Sequence, residues 1–305
     1  MIESNRLAVE LGSARPPAVA PLHQAVRGAT KRRRAAPVFA VTSGKGGVGK
    51  TNVVANVAIA LARRQRRVMI IDADLGLANL DLYLGLKPTR TLADFFSGAA
   101  TLDEIVLTNR DGILVMPGSS GVQEITQLRP EQKNSLLTEL DLLTDEIDLV
   151  LLDSASGISD MVTYFTSAAH EIIVVVTPEP SSMTDAYALM KVLARQQRQT
   201  RFLVLANNVS GADEARRLFD TLSSTALRFL NVSLDSLGWI PRDPMLLRAA
   251  ARAATVVTDY PDAPSAQAFS RLAGNLAERA DERLKVTGNV QFFLRRMLQT
   301  GKADQ

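Results

Sequence analysis

The nine residues Ser43-Gly44-Lys45-Gly46-Gly47-Val48-Gly49-Lys50-Thr51 combine glycines, two lysines and a closing hydroxyl at the G-x-x-x-x-G-K-T spacing. Glycines let a backbone curl until successive N–H groups face one anion, and a helix starting behind the loop adds the positive end of its dipole. In that setting Lys50 neutralises the outer phosphates of a nucleotide and Thr51 can ligate Mg²⁺. The phosphate-binding candidates are Gly44, Lys45, Gly46, Gly47, Val48, Gly49, Lys50, Thr51 and Asn52. The bland alternative is a glycine-rich turn between a strand and a helix, and the complete spacing weighs against it.

Two further clusters carry carboxylates. Asp72-Ala73-Asp74-Leu75-Gly76 follows one apolar run and Asp153-Ser154-Ala155-Ser156-Gly157 follows another. Aspartates so placed hold Mg²⁺ or its water ligands opposite the loop hydroxyl, so Thr51, Asp72 and Asp153 are the metal candidates. Taken singly, each aspartate could equally cap a helix. Three carboxylates at the same sheet edge as a phosphate loop favour the metal reading.

The elements that must position these groups are legible as alternating runs. Val38–Val41, Val68–Ile71, Ile113–Met116, Leu149–Leu152, Ile172–Val176, Phe202–Leu205 and Leu237–Ile240 are apolar and do not alternate with polar residues, as strands covered on both faces do. Helical spacing marks Lys50–Arg66, Pro130–Asp145, Ser159–His170, Ser182–Gln197, Ala212–Leu222 and a last body helix, Ser265–Arg283. Strand then helix, repeated, predicts an α/β domain with a doubly wound, mostly parallel sheet of seven to eight strands. Ligands in such folds sit outside the carboxyl ends of the strands, where the loop and the aspartates fall.

Composition narrows the chemistry. The 305 residues include no cysteine, which removes disulfides, thiolate catalysis, zinc ribbons and iron–sulfur clusters and fits a reducing compartment. The two histidines, His23 and His170, lie away from the expected ligand edge. No run reaches the length of a spanning helix, so a cytoplasmic protein is expected. Residues 1–37 carry seven lysines and arginines against Glu3 and Glu10, which leaves the rest of the chain near neutral. That balance speaks against broad nucleic-acid binding, because phosphate contacts need clustered cations. Residues 1–36, with Pro16-Pro17, Pro21 and the Lys31 to Arg34 cluster, read as a mobile basic tail, either a docking arm or a solvated leader.

The loop with its second lysine, Lys45, resembles the deviant Walker A motif of the MinD/ParA family of ATPases, P-loop NTPases of the SIMIBI type. Within that family Asp72 to Asp81, Thr184 to Leu189 and Tyr260 to Ala266 are similar to the FlhG (FleN) branch, which governs flagellar number. The resemblance covers about residues 37–300. It implies an ATPase using ATP and Mg²⁺, with Lys45 and Asp74 catalytic: Lys45 reaches a partner subunit's phosphates and Asp74 positions the attacking water. It also implies that Asn207 contacts adenine and that Pro241 and Asp243 lie beside the base. Two departures stand out. Asp153 is followed by serine where the family has threonine, and His23-Gln24-Ala25 lacks the leucine–arginine pair of a segment that stimulates the FlhF GTPase.

Beyond Thr287-Gly288, residues 289–298 form an amphipathic pattern in which Val290, Phe293, Leu294, Met297 and Leu298 share one stripe bordered by Arg295 and Arg296. Such a helix either lies in a membrane interface or packs on its own domain. The resemblance implies the former, on inner-membrane lipid, and organises the chain as tail 1–36, ATPase domain 37–286 and targeting segment 287–305. The implied activity is an ATP-dependent homodimerising switch regulating flagellar number, with FlhF, flagellar switch (C-ring) proteins or a flagellar transcription activator as partners and no sequence-specific DNA. The alternatives are a ParA-like DNA partition ATPase and an ATP-binding scaffold with negligible turnover.

Overall fold

Runs of Val, Ile and Leu have no polar face to turn to water, so their strands must be covered on both sides. A computed structural model of the protein describes residues 36–74, 80–118, 139, 147–197 and 199–286. The chain divides into Met1–Arg32 and Arg33–Gln305, and all described residues belong to the second unit. Its elements are β1 (Val38–Ser43), α1 (Lys50–Ala62), β2 (Val68–Ala73), α2 (Leu80–Tyr83), α3 (Leu92–Phe96), α4 (Leu102–Ile105), β3 (Leu107–Thr108), β4 (Leu114–Met116) and β5 (Leu149–Ser156). They continue with α5 (Asp160–Ala168), β6 (Glu171–Val176), α6 (Pro180–Gln197), β7 (Arg201–Val209), α7 (Ala212–Leu230), β8 (Ser233–Pro241), α8 (Pro244–Ala250), α9 (Val256–Asp259) and α10 (Pro264–Val286).

Eight strands form one sheet in the order β3-β4-β2-β5-β1-β6-β7-β8. Every pairing is parallel except β3 with β4. Six of the seven expected runs lie within a strand, the third does so apart from Ile113, which precedes β4, and the short antiparallel edge strand β3 is the eighth. Side chains alternate between two apolar layers: Val38 and Ala40 of β1 join one, Phe39 and Val41 the other. In the second layer α1 packs on α10 through Ala58, Leu61, Phe269, Ala273 and Leu276, all buried. Small alanines let these helices approach closely. At the opposite end of the sheet from the phosphate loop, Glu171 holds Arg279 and Arg283, and Arg66 forks onto Asp281, fixing the later turns of α10.

Several boundaries differ from the sequence reading for local reasons. The first helix stops at Ala62 rather than Arg66, because Gln65 takes a left-handed conformation (φ 61°) in the turn to β2. Helix α7 runs on to Leu230, since buried Ala226 continues the spacing of Leu218 and Leu222 through the polar Ser223-Ser224-Thr225. The fourth run extends as β5 to Ser156, so Asp153 lies inside a strand and caps no helix. The Pro130–Asp145 helix, the 287–305 segment and residues 75–79 lie outside the described residues, Glu139 excepted.

Candidate functional site

Strand β1 sits in the middle of the sheet, with β5 on one side and β6 on the other, so its carboxyl end opens onto a crevice between diverging connections. The loop that follows turns on Gly47 (φ 78°) and Gly49 (φ 92°), backbone conformations that side chains disfavour. Gly49 is the N-cap of α1 and supplies no side-chain acceptor, and the first turn holds no acidic residue. The leading N–H groups of α1 are thus left for an external anion. At the loop entrance, a Cβ on Gly44 would stand 2.1 Å from the Asp185 carbonyl, so the loop can lie against α6 only because residue 44 is glycine.

Lys50, buried in α1, donates to Ser43 Oγ at 3.1 Å, while Ser43 Oγ donates to the Lys45 carbonyl at 2.7 Å. Burial lowers the Lys50 ammonium below its ordinary pKa, and the charges of Asp153 and Asp74 pull it back. Thr51 stands next to it, hydrogen-bonded to Asp153. Lys45 has a different setting: its Nζ pairs with Glu179 Oε2 at 2.6 Å and Ser181 Oγ at 2.9 Å, at the start of α6.

Asp72 and Asp153 are opposite one another in the register of β2 and β5. Both are buried. Burial, reinforced by the charge of Asp153, raises the Asp72 carboxyl to about 8. Burial raises Asp153 to about 7 against the Thr51 hydrogen bond and the Lys50 charge. Asp153 Oδ1 has no hydrogen-bond partner. Two buried carboxylates and a hydroxyl, with one oxygen unsatisfied, suit a hard divalent cation. Mg²⁺ takes one or two carboxylates and completes its shell with substrate phosphates and water. No group of three or more His, Cys, Asp or Glu side chains that could hold a metal ion occurs among the described residues. Asp74 follows β2, and its amide donates to Asp72 Oδ1 at 3.1 Å.

On the far side of the loop, buried Asn207 of β7 donates Nδ2 to the Val48 carbonyl at 2.8 Å. A carbonyl only accepts, so the carboxamide has one orientation, and its Oδ1 is left buried without a donor. Pro241 pairs with Val209 at the end of β8. The Asp243 carboxylate is committed locally. It accepts from the Met245 amide of α8 at 2.8 Å and from the Ser265 amide and hydroxyl of α10 at 3.0 and 2.7 Å. Burial acts to raise its pKa, and these bonds outweigh it and hold the carboxyl below the ordinary value.

The expected loop, metal and base residues therefore gather at one sheet edge, with Lys45 turned to α6. The membrane residues Val290, Phe293, Leu294, Met297 and Leu298 lie outside the described residues. Sequence reasoning included Ser43 in the loop motif without a role of its own, and missed Glu179, Ser181, Ser265 and Asn56. For Asn56 a signal existed: a lone carboxamide on an otherwise aliphatic helix face must find buried partners.

Comparison with known proteins gives the same architecture. The model of the ParA family, described as NUBPL iron-transfer P-loop NTPase, matches residues 34–277. The chain is 43% identical over 272 residues to the antiactivator FleN of Pseudomonas aeruginosa, covering 87% of this chain and 96% of that one. It is 30% identical to the flagellum site-determining protein YlxH of Helicobacter pylori, over 80% of this chain and 82% of that relative. Among solved structures, the septum site-determining protein MinD complexed with Mg-ADP from Pyrococcus horikoshii superposes with a TM-score of 0.66 at 26% identity, over 80% of this chain and 97% of that one.

Proposed function

The chain belongs to the ParA/MinD family of P-loop NTPases, and on that premise we propose that it is an ATP-dependent dimerising switch that regulates flagellar number and placement. The observation that carries the flagellar part is the 43% identity to an antiactivator FleN over nearly all of that protein. The nucleotide part rests on the loop, the paired aspartates and the unsatisfied Asn207 acceptor.

Each group has a role in that reading. The loop amides, Lys50 and the α1 N-terminus bind the phosphates. Thr51 and Asp153, with Asp72 behind them, would hold Mg²⁺, which supplies charge compensation between the outer phosphates. The lone Asn207 Oδ1 accepts from a 6-amino group, so adenine fits where guanine, with a 6-oxo group, would leave it unpaired. Asp74 orients the attacking water. Lys45 belongs to the second copy's site: on dimerisation it leaves Glu179 and Ser181 and lies against the partner's phosphates, as an arginine finger would. The exposed Lys45–Glu179 pair costs little to break, about 0–1 kcal/mol.

In the ATP dimer, residues 287–305 engage the inner face of the cell membrane, two copies adding avidity that one short stripe lacks. Residues 1–36 act as a basic tail, and FlhF, flagellar switch proteins or a transcription activator are the partner classes. Gel filtration of an Asp74→Ala protein tests the switch. It is expected to run as a dimer with ATP and as a monomer with ADP, and a monomer under saturating ATP would rule the switch out. Flagella counted per cell after deletion of the gene, with and without a Lys50→Ala copy, test the biological assignment.

A further inference from the structure

Asn56 is the one fully buried carboxamide on α1, in a helix otherwise burying aliphatic side chains and Lys50. All its polar atoms are used. Its Oδ1 accepts from the Val257 amide of α9 at 3.1 Å, and its Nδ2 donates to the Asn52 carbonyl at 2.8 Å and to Asn52 Oδ1 at 2.6 Å. A backbone amide can only donate, so Val257 fixes which end of Asn56 is oxygen. That in turn makes the atom of Asn52 facing Asn56 an oxygen. The orientation of the Asn52 carboxamide is therefore dictated from α9, two hundred residues along the chain.

The consequence falls on the NH₂ group of Asn52. Asn56 lies one turn C-terminal to Asn52, so Oδ1, which accepts from Asn56, is turned along the helix, and Nδ2 is the end of the carboxamide turned away from Asn56. No hydrogen-bond acceptor for it exists among the described residues. With Oδ1 turned the other way, an oxygen would face the anion site and repel it.

We propose that Asn56 is a positioning residue for nucleotide binding: held by the Val257 amide, it turns Asn52 so that Nδ2 donates to a phosphate oxygen of a bound nucleoside polyphosphate. The same bonds tie occupancy of the loop to α9. Val257 is held at both ends from α1 and its C-cap, since Arg63 Nη1, just past the helix, also donates to its carbonyl at 2.6 Å. This inference rests on the nucleotide reading above and deepens it.

Mg-ADP titrated into the full chain by calorimetry, with thermal melts and hydrogen exchange at Val257 alongside, tests it. Wild type is expected to bind, and Lys50→Ala to lose binding. Asn52→Asp keeps the acceptor that Asn56 needs and replaces only the outward NH₂ by oxygen. It should melt like wild type yet bind ADP at least about tenfold more weakly. Asn56→Ala should weaken binding several-fold and raise KM for ATP more than it lowers kcat. Exchange at the Val257 amide should slow on ADP binding in wild type and respond less in Asn52→Asp at matched occupancy. Wild-type affinity in Asn52→Asp, with unchanged Val257 exchange, would overturn the inference and leave the nucleotide reading standing. No binding by wild type would overturn both.

Discussion

At the residue scale, the site keeps two buried side-chain oxygens, Asp153 Oδ1 and Asn207 Oδ1, without a protein partner. Asp72 is raised to about 8 by burial and by the charge of Asp153, and Asp153 to about 7 by burial, with the charge of Asp74 adding to it. A carboxyl raised in the folded state contributes stability that is complete below its unfolded value, roughly 3.9, and is lost as pH rises through the folded value. The nucleotide-free, metal-free protein should therefore lose thermal stability between about pH 5 and about pH 8.5, at up to roughly 1.4 kcal/mol per pH unit for each proton released. Asp72→Asn should flatten that decline, and Mg-ADP should restore the wild type most at the alkaline end. A melting temperature that climbs through this window would contradict the assignment. Asn207 makes a separate prediction. ATP should bind at least about tenfold more tightly than GTP, and Asn207→Leu should remove most of that preference, as competition between the two nucleotides would measure.

At the scale of elements, two junctions hold the site's frame. Helices α8 and α10 both start on Asp243, whose carboxylate takes three hydrogen bonds from Met245 and Ser265. Ser265→Ala removes the shortest of them and should destabilise the fold by about 1–3 kcal/mol, read as a lowered denaturation midpoint. Because Asp243 is held below the ordinary carboxylate value, its contribution is present above the unfolded value and lost as pH falls through the folded one. The Ser265→Ala penalty should accordingly shrink in acid, and a penalty independent of pH would mean that the Asp243 bonds are not its source. The second junction is Gly44 against α6, where any side chain collides with backbone that cannot rotate aside.

For the whole molecule, the bonding of Lys45 sets the state of the lone chain. It is satisfied by Glu179 and Ser181 of its own chain, and on the proposed reading a second copy would have to compete for it. Lys45→Ala should bind ATP nearly as well as wild type while phosphate release falls by a factor of about 10³ or more, the scale of a missing arginine finger. Equal release by the two proteins in the presence of lipid would favour a scaffold over a switch. Liposome sedimentation with ADP and with ATP, on the full chain and on protein cut at Gly288, separates membrane targeting from packing on the domain. Binding should need both ATP and the segment, and binding indifferent to both would exclude the membrane switch. No helix among the described residues is long and apolar enough to cross a membrane.

The sequence by itself determined what is encoded locally. The phosphate loop was legible because its chemistry depends on consecutive residues, and the seven main strands because each is an uninterrupted apolar run. Its boundaries were less legible: Gln65 ends α1 through a backbone conformation, and the polar Ser223 to Thr225 hides the continuation of α7. Only the tertiary structure decided which side chains meet. Asp72 faces Asp153 because β5 lies beside β2 in the sheet. Asn207 reaches Val48 across 159 residues and Asn56 reaches Val257 across 201. Those meetings follow from strand order and helix packing, which minimise exposed apolar surface over the whole chain and leave no periodic trace at any one position. For the same reason the orientations of the Asn207 and Asn56 carboxamides, on which the proposed base and phosphate recognition turn, are fixed by distant backbone groups rather than by the residues beside them.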